Sequence, residues 1–223
     1  MKLFIRAEHR SLYNTIKLNI AITSFNNSLC GAVLWLLLGV YALPIYASLL
    51  KITAAIGDLY RCKLQEKIVE NNIRYLNEKY LILQCWETLI GVIGYLLILI
   101  NIRVAVVILM IETLLSSITR AYFISYTSKI DDILTGSEVV MRTKYYAVLD
   151  KVANTSSVVG TFINSLVFFL TSKFNTNDIT IYKKLAIIFA IGKVIDLMCS
   201  VSEAKKVRKL YAQNWRDKND TYL

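Results

Sequence analysis

The sequence predicts an all-α, polytopic membrane protein with six transmembrane helices. The first reason is that no charged residue lies between Leu18 and Leu50. A hydrocarbon core about 30 Å thick needs roughly 20 apolar residues of helix to cross it. The second reason is that further apolar runs follow at Thr88–Ile102, Val104–Thr119 and Val152–Ser172. The third is composition: one proline and eight glycines in 223 residues favour long helices. The runs are continuously apolar, whereas the strands of a membrane barrel alternate.

The apolar runs divide into six predicted spans, and Pro44 supplies the break between the first two. The spans are Leu18–Ala42, Leu43–Tyr60, Tyr80–Ile100, Val104–Tyr126, Tyr145–Leu170 and Tyr182–Val201. This division predicts three regions: an amphipathic cytoplasmic N-terminal segment at residues 1–17, a transmembrane domain at 18–202 and a basic cytoplasmic tail at 203–223.

The distribution of Lys and Arg predicts the orientation in the membrane. Clusters of these residues occupy segments 1–17, 61–79, 128–144 and 203–223, whereas the other connections carry little charge. Since cytoplasmic loops retain Lys and Arg, both termini are expected in the cytoplasm. The same rule accounts for the net charge of +10, so nucleic acid is not an expected partner. Abundant Lys, Ile and Asn are typical of AT-rich genes, and we expect a bacterial inner (plasma) membrane.

The sequence contains no recognisable catalytic or metal-binding motif. It has no P-loop, no HExxH and no GxSxG, and its one histidine, His9, has no partner at ligand spacing. The four cysteines show no CxxC spacing, which favours free thiols packed among helices. We therefore expect neither an enzyme nor a metal or cofactor site.

Ionisable residues inside the predicted spans are the candidate functional groups. A charge near the bilayer centre costs about 2.5–3.5 kcal/mol, so it should face a partner or a wet cavity. Glu112 and Arg120 lie about 12 Å apart along one helix, too far to bond each other. Each needs a partner on another helix or in a cavity, and Glu87 is a candidate. A binding or proton-relay role and a structural interhelical pair both stay open. Lys193 and Asp196, three residues apart, are expected to neutralise each other.

Small and polar residues are concentrated in the second half of span four and in span five. Those of span five begin at Asn154 and continue to Thr161, with Gly160 among them. Tight helix packing is one interpretation, because small residues let helices approach closely. The other is a polar lumen lined by spans four and five, with Asn26, Asn27 and Ser28 of span one facing the same space.

The stretch from Thr119 to Asn164 resembles the region from helix four to helix five of major facilitator superfamily transporters, in their efflux-type branch. It reads TRAYFISYTSKIDDILTGSEVVMRTKYYAVLDKVANTSSVVGTFIN. The resemblance implies that Arg120 takes the place of the helix-four arginine linked to proton coupling. It also implies that Asn154 and Gly160 lie in the fifth helix, where that helix lines and bends around the central cavity.

The segment AIGDLYRCK resembles a cytoplasmic gating motif of the same family, although less closely than the Thr119–Asn164 stretch resembles its helices four and five. Its residues here would be Gly57, Asp58, Arg61 and Lys63, with the glycine displaced, and the segment that follows is longer than the tight turn of the family. Members of the family have twelve helices in two halves. Six spans with both termini inside correspond to one half.

The resemblance implies a half-sized, efflux-type transport protein that moves a small molecule or peptide through a polar cavity. Because one half cannot rock against itself, its partner would be a second copy or another membrane subunit. Two alternatives stay open. One is a membrane-embedded immunity or exclusion protein, encoded by a plasmid or chromosome, that blocks a bacteriocin or an incoming element. The other is the permease subunit of an ATP-driven exporter.

Overall fold

The computed structural model describes residues 9–41, 43–71, 76–136, 138–173 and 179–220, and these form six α-helices. The prediction of an all-α protein is confirmed. Each helix overlaps one of the six apolar segments predicted from the sequence. The helices are α1 (Arg10–Tyr41), α2 (Leu43–Asn71), α3 (Leu76–Leu97), α4 (Ile102–Thr135), α5 (Val139–Lys173) and α6 (Ile179–Asp220).

Local chemistry explains where these helices begin and end. Pro44 lies in the first turn of α2, where its missing N–H leaves no helical bond unmade. The side chain of Asn101 caps α4 by accepting hydrogen bonds from the backbone N–H groups of Arg103 and Val104. Gly136 ends α4 in the left-handed conformation, with φ of 64°. The predicted breaks at Pro44 and near Asn101 therefore lie where the helices change.

Two boundaries predicted from the sequence fall inside continuous helices. α1 begins at Arg10 and runs through residue 17, and α6 continues past residue 203 to Asp220. The basic tail is therefore helical along most of its length, and its first turns pack into the bundle through Glu203, Val207 and Leu210, which are all buried. Their spacing of four and three residues puts them on one helical face. The polar segments 61–79 and 128–144 are also mainly helical extensions.

The helices pack in a pattern that repeats after three helices. α1 packs against α5 and α6, and α4 packs in the same way against α2 and α3. If α1, α2 and α3 are exchanged with α4, α5 and α6, the pair α1–α2 becomes α4–α5, and the pair α3–α6 becomes itself. Exchanging α1–α3 with α4–α6 thus leaves this set of helix pairs unchanged.

An apolar core closes the end of the bundle that holds the start of α1 and the turn between α4 and α5, which we call the α4–α5 end. Every helix except α2 contributes to it. The buried members are Leu12, Ile16, Tyr80, Leu81, Tyr126, Ile130, Leu134, Tyr145, Leu149, Val207 and Leu210. This core holds the helix ends together below the polar interior described in the next subsection.

In the rest of the bundle, many polar side chains are buried among apolar ones, and many large apolar side chains are exposed. Buried polar residues include Asn19, Asn26, Thr53, Thr88, Ser117, Asn164, Lys193, Asp196, Ser200 and Glu203. Exposed large apolar residues include Ile52, Ile56, Leu59, Ile93, Val107, Ile111, Val158, Phe162, Leu166, Ile188, Ile191 and Met198. Within the described residues, two helices are long and apolar enough to cross a membrane, over Lys79–Leu97 and Ile102–Phe123.

Asp131, near the end of α4, is a buried carboxylate that no described residue pairs with. Its side chain is fully buried, and neither carboxylate oxygen has a hydrogen-bond partner among the residues that the structure describes. Arg142 on α5 is close enough to favour the charged form but forms its ion pair with Asp132 instead. Burial raises the pKa of Asp131 from 3.8 to about 7. The carboxyl group is therefore held at a cost whenever it is ionised.

Replacing Asp131 with Asn is expected to stabilise the protein, and more at pH 8 than at pH 5. The folded state binds a proton at Asp131 more tightly than the unfolded state does. Stability from this group is therefore lost as the pH rises from about 4 to about 7. An unsatisfied buried group costs about 1–3 kcal/mol, which sets the expected gain at pH 8. Thermal unfolding in detergent at the two pH values measures it.

The matched control for this prediction is Asp132→Asn on the neighbouring residue. It breaks the ion pair with Arg142 and also removes a negative charge beside Asp131, so no gain is expected at pH 5, and any gain at pH 8 should be smaller than that from Asp131→Asn. An equal gain from Asp131→Asn at both pH values would show that the carboxyl group does not titrate as described.

Candidate functional site

The interior holds a polar cavity of about 430 Å³ between α1, α2, α3, α4 and α6, which we call the central cavity. Four carboxylates and two cationic side chains line it. They are Asp58, Glu87, Glu112, Arg120, Lys193 and Asp196. The structure thus brings together three residues singled out in the sequence, Glu87, Glu112 and Arg120, on α3 and α4.

Lys193 and Glu112 form a buried ion pair in the wall of the central cavity. The Nζ of Lys193 lies 3.0 Å from the Oε1 of Glu112, and the two side chains are 9% and 16% exposed. Gly91 on α3 makes room for the pair, since a methyl group there would lie 3.2 Å from the same oxygen and 3.5 Å from the lysine side chain. Glu112 thus has the interhelical partner that the sequence requires.

The expected pairing of Lys193 with Asp196 is wrong. Asp196 instead accepts a hydrogen bond of 2.6 Å from the hydroxyl of Thr23 on α1. Both partners come from other helices: Glu112 on α4 accepts from the lysine, and Thr23 on α1 donates to the aspartate. Spacing along α6 allowed an internal pair, but the neighbouring helices supply partners at closer range.

Glu87 adds a further carboxylate beside the ion pair. It faces Lys193 and Glu112, and the hydroxyls of Ser116 and Thr119 approach its oxygens from α4. Lys193 is therefore surrounded by acidic groups from α3, α4 and α6. Because the carboxylates around Lys193 outnumber this one cation, the site can also accept a proton or a second cation.

Arg120 lines the same cavity but stands apart from this cluster. It is exposed, and within the described part of the chain it forms no ion pair or hydrogen bond. Glu87 is therefore not its partner in this structure. An unpaired guanidinium on the wall is free to meet an anionic group that enters the cavity.

The polar face of α6 continues beyond the predicted sixth span. Lys193, Asp196, Ser200 and Glu203 follow one another at spacings of three, four and three residues. Glu203 is 3% exposed; it accepts hydrogen bonds from Asn19 on α1, at 2.6 Å, and from the hydroxyl of Tyr126 on α4. Burial raises the pKa of Glu203, and the two hydrogen bonds oppose the rise.

Sequence reasoning missed Glu203, which was assigned to a separate tail, and missed its partners Asn19 and Tyr126. The signal that could have found it is the periodicity itself. A polar stripe at helical spacing that starts at Lys193 and extends to Glu203 predicts a sixth helix longer than its apolar run.

Asn154 and Gly160 lie in the fifth helix, as the resemblance implies, but not on the central cavity. Asn154 is exposed, and neither residue lines the central cavity. Gly160 is packed against α1, where a methyl group would lie 2.6 Å from the carbonyl oxygen of Phe25. Next to it, the hydroxyls of Ser157 and Ser28 are 2.6 Å apart. These small residues of α5 therefore serve close helix packing, which was the first of the two interpretations.

The two asparagines before Ser28 have separate roles. Asn26 is buried, and its side chain donates a hydrogen bond of 2.8 Å to the carbonyl of Gly192 on α6. Asn27 lines the central cavity. The polar lumen predicted from spans one, four and five is therefore lined by α1 and α4 together with α2, α3 and α6.

The proposed gating-motif residues lie within α2 rather than at a turn. Gly57 is buried against α4, where a methyl group would lie 2.6 Å from the hydroxyl oxygen of Ser117. Asp58 lines the central cavity and pairs with Arg61 one turn later, at 3.6 Å. Lys63 is exposed. Of these residues, Asp58 therefore contributes a carboxylate to the central cavity, and Gly57 allows α2 to pack closely against α4.

No family model, curated protein or solved structure matches this chain. Within the residues that the structure describes, no group of three or more His, Cys, Asp or Glu side chains could hold a metal ion. The charged and polar side chains of the central cavity are therefore the main structural evidence for a function.

Proposed function

We propose that this chain is an efflux-type integral membrane transport protein, one half of a transporter, that moves a small molecule or peptide through the central cavity. Its six helices would cross a bacterial inner membrane with both termini in the cytoplasm, as the distribution of Lys and Arg predicts. The proposal keeps the resemblance to one half of a major facilitator superfamily transporter.

The observation that carries the proposal is the contrast between the interior and the surface of the bundle. Lys193, Glu112 and Glu87 surround a cavity of about 430 Å³, while large apolar side chains face outward on α2 to α6. In water such a surface would be a large exposed apolar patch, which soluble monomers rarely show. In a bilayer it meets lipid, and charged groups kept inside are typical of substrate and ion pathways.

The repeated packing of the helices supports the same proposal. Exchanging α1–α3 with α4–α6 preserves the helix pairs. If each helix crosses the membrane once, three crossings end on the opposite side, so the second unit of three helices would start there and be inverted relative to the first. Inverted repeats of three helices are the organisation described for each half of major facilitator transporters. The pairs α1–α5 and α4–α2 are the corresponding pairs here.

A half transporter needs a second half, and we propose a homodimer. Native mass spectrometry of the protein released from nanodiscs tests this first. A stable dimer is expected, because alternating access requires two bundles that rock around one site. A clean monomer would contradict the self-paired transporter and favour the membrane-embedded immunity or exclusion protein, or a subunit of an ATP-driven exporter.

Transport itself is tested by dye accumulation in an efflux-deficient bacterial strain. Cells that express the protein are expected to accumulate less ethidium, Hoechst 33342 or a labelled cationic peptide than cells with an empty vector. Arg120→Gln and Glu87→Gln should restore accumulation to the vector level, since each removes a cavity charge without breaking an ion pair seen in the structure.

Lys151→Gln is the matched control for the accumulation assay. Lys151 is exposed on α5 and does not line the central cavity, so its variant should export as the wild type does at equal membrane abundance. Unchanged accumulation of all three probes in wild-type cells would contradict an efflux function. Equal export by the Arg120 and Glu87 variants would remove the central cavity from the pathway.

A further inference from the structure

A second cavity adjoins the central cavity toward the α4–α5 end of the bundle, and the proposed transport site does not use it. We call it the aromatic cavity. Its volume is about 420 Å³, and α1, α3, α4, α5 and α6 contribute its walls. It shares Thr23, Tyr80, Gln84 and Phe123 with the central cavity. A cavity of this size lies within the range that holds small organic ligands.

Five aromatic rings from α3, α4 and α5 line this cavity. The five rings are Tyr80, Phe123, Tyr126, Tyr145 and Tyr146. Tyr80 is central among them: its ring lies 4.5 Å from that of Tyr126, stacked, and 5.5 Å from that of Phe123, between centroids. The face of an aromatic ring carries partial negative charge and attracts a cation within about 6 Å.

The charged groups of the aromatic cavity are all acidic. Glu203 and Asp150 line it, and no lysine, arginine or histidine is among the described residues that do so. Neither carboxylate forms an ion pair within the described ranges of the chain. The central cavity differs, because Lys193 and Arg120 face its carboxylates.

Oxygen atoms of Glu203 and Asn19 in the aromatic cavity can accept further hydrogen bonds. Glu203 accepts one bond from Asn19 and one from Tyr126, whereas an ionised carboxylate offers about four acceptor positions. Asn19 is 4% exposed, and its Oδ1 has no hydrogen-bond partner among the described residues. A buried acceptor without a donor is costly, so a ligand that brings N–H groups would relieve it.

We propose that the aromatic cavity binds a small aromatic ammonium cation, with Glu203 as its counter-charge, Asn19 as an acceptor and the tyrosine rings around its apolar part. This site goes beyond the transport proposal, because binding at equilibrium requires no movement of a substrate. Its position next to the central cavity would let a cation be held before it meets Lys193 and its acidic neighbours.

Isothermal titration calorimetry of the full chain in detergent tests the site, with phenethylammonium as the probe. The neutral control is 2-phenylethanol, which has the same ring and chain with a hydroxyl in place of the ammonium group. Phenethylammonium is expected to bind at least tenfold more tightly. Glu203→Gln should weaken its binding about tenfold or more, because the buried counter-charge is lost, while the amide oxygen can still accept from Asn19 and the amide NH2 can donate to the hydroxyl of Tyr126.

Two further variants keep the test decisive. Asp196→Asn removes a carboxylate on the same helix that lines only the central cavity, so the affinity should stay within about twofold. Asp150→Asn changes an exposed side chain that cannot affect folding much, and a several-fold loss is expected. Circular dichroism melting establishes that each variant is folded.

The proposal is overturned if phenethylammonium and 2-phenylethanol bind equally, or if the Glu203 and Asp150 variants bind like the wild type. A loss confined to Asp196→Asn would place the cation in the central cavity instead. Failure of transport with cation binding retained would contradict only the transport function, so the two proposals fail separately.

Discussion

Replacing Lys193 with Met is expected to lower the free energy of unfolding by about 3–5 kcal/mol. The substitution removes one member of a buried ion pair and leaves Glu112, at 16% side-chain exposure, without its counter-charge. Glu112→Gln should be destabilising for the same reason, because it leaves the lysine unpaired. Thermal or denaturant unfolding in detergent micelles measures both.

A double variant measures the interaction energy between Lys193 and Glu112 apart from the contacts that each makes with other residues. Lys193→Met with Glu112→Gln removes both charges and should be more stable than either single variant, by a coupling of about 1–3 kcal/mol. The matched control is the exposed pair Asp58–Arg61 on α2, whose members are 51% and 31% exposed at 3.6 Å. Breaking that pair should cost about 0–1 kcal/mol. Purely additive effects at Lys193 and Glu112 would contradict a direct interaction.

Placing a charge on the outer face of α5 is expected to prevent stable insertion. Phe162 is 68% exposed and lies about 16 Å from the Lys173 end of the helix. If this face meets lipid, Phe162→Arg puts a guanidinium near the bilayer centre at a cost of about 2.5–3.5 kcal/mol. The amount of folded protein in the membrane fraction, quantified by blotting and fluorescence-detected gel filtration, should decrease several-fold.

Val139→Arg is the matched control on the same helix. Val139 is 75% exposed but lies in the first turn of α5, beyond the predicted span and next to the α4–α5 turn. An arginine there should be tolerated in full, since it would lie in water or among headgroups. Equal tolerance at Phe162 would contradict a lipid-facing surface on α5 and, with it, the proposed six spans.

The elements that the sequence predicted well depend on neighbours along the chain. Pro44 separates α1 from α2 because a proline is accommodated only in the first turn of a helix. Asn101 marks the start of α4 because its side chain caps the backbone beside it. The six apolar runs each became part of a helix because a continuous run of that length satisfies its backbone best as a helix.

The extents of the helices were predicted less well, because hydropathy measures how apolar a segment is and not how long its helix is. α6 continues beyond the sixth apolar run, and its polar turns are held by Asn19 and Tyr126 from other helices. α4 and α5 likewise extend to a turn at Gly136 inside a segment that is polar. The charged residues in these helical turns indicate where an apolar run ends, and not where the helix ends.

The sequence by itself determined the all-α class, the breaks at Pro44 and Asn101, and the presence of costly charges at Glu87, Glu112 and Arg120. These depend on local geometry or on the identity of single residues. Only the tertiary structure decided that Lys193 pairs with Glu112 and that Arg120 has no partner among the described residues. Partners on different helices are chosen by which faces meet, and helix packing brings together residues that are distant along the chain.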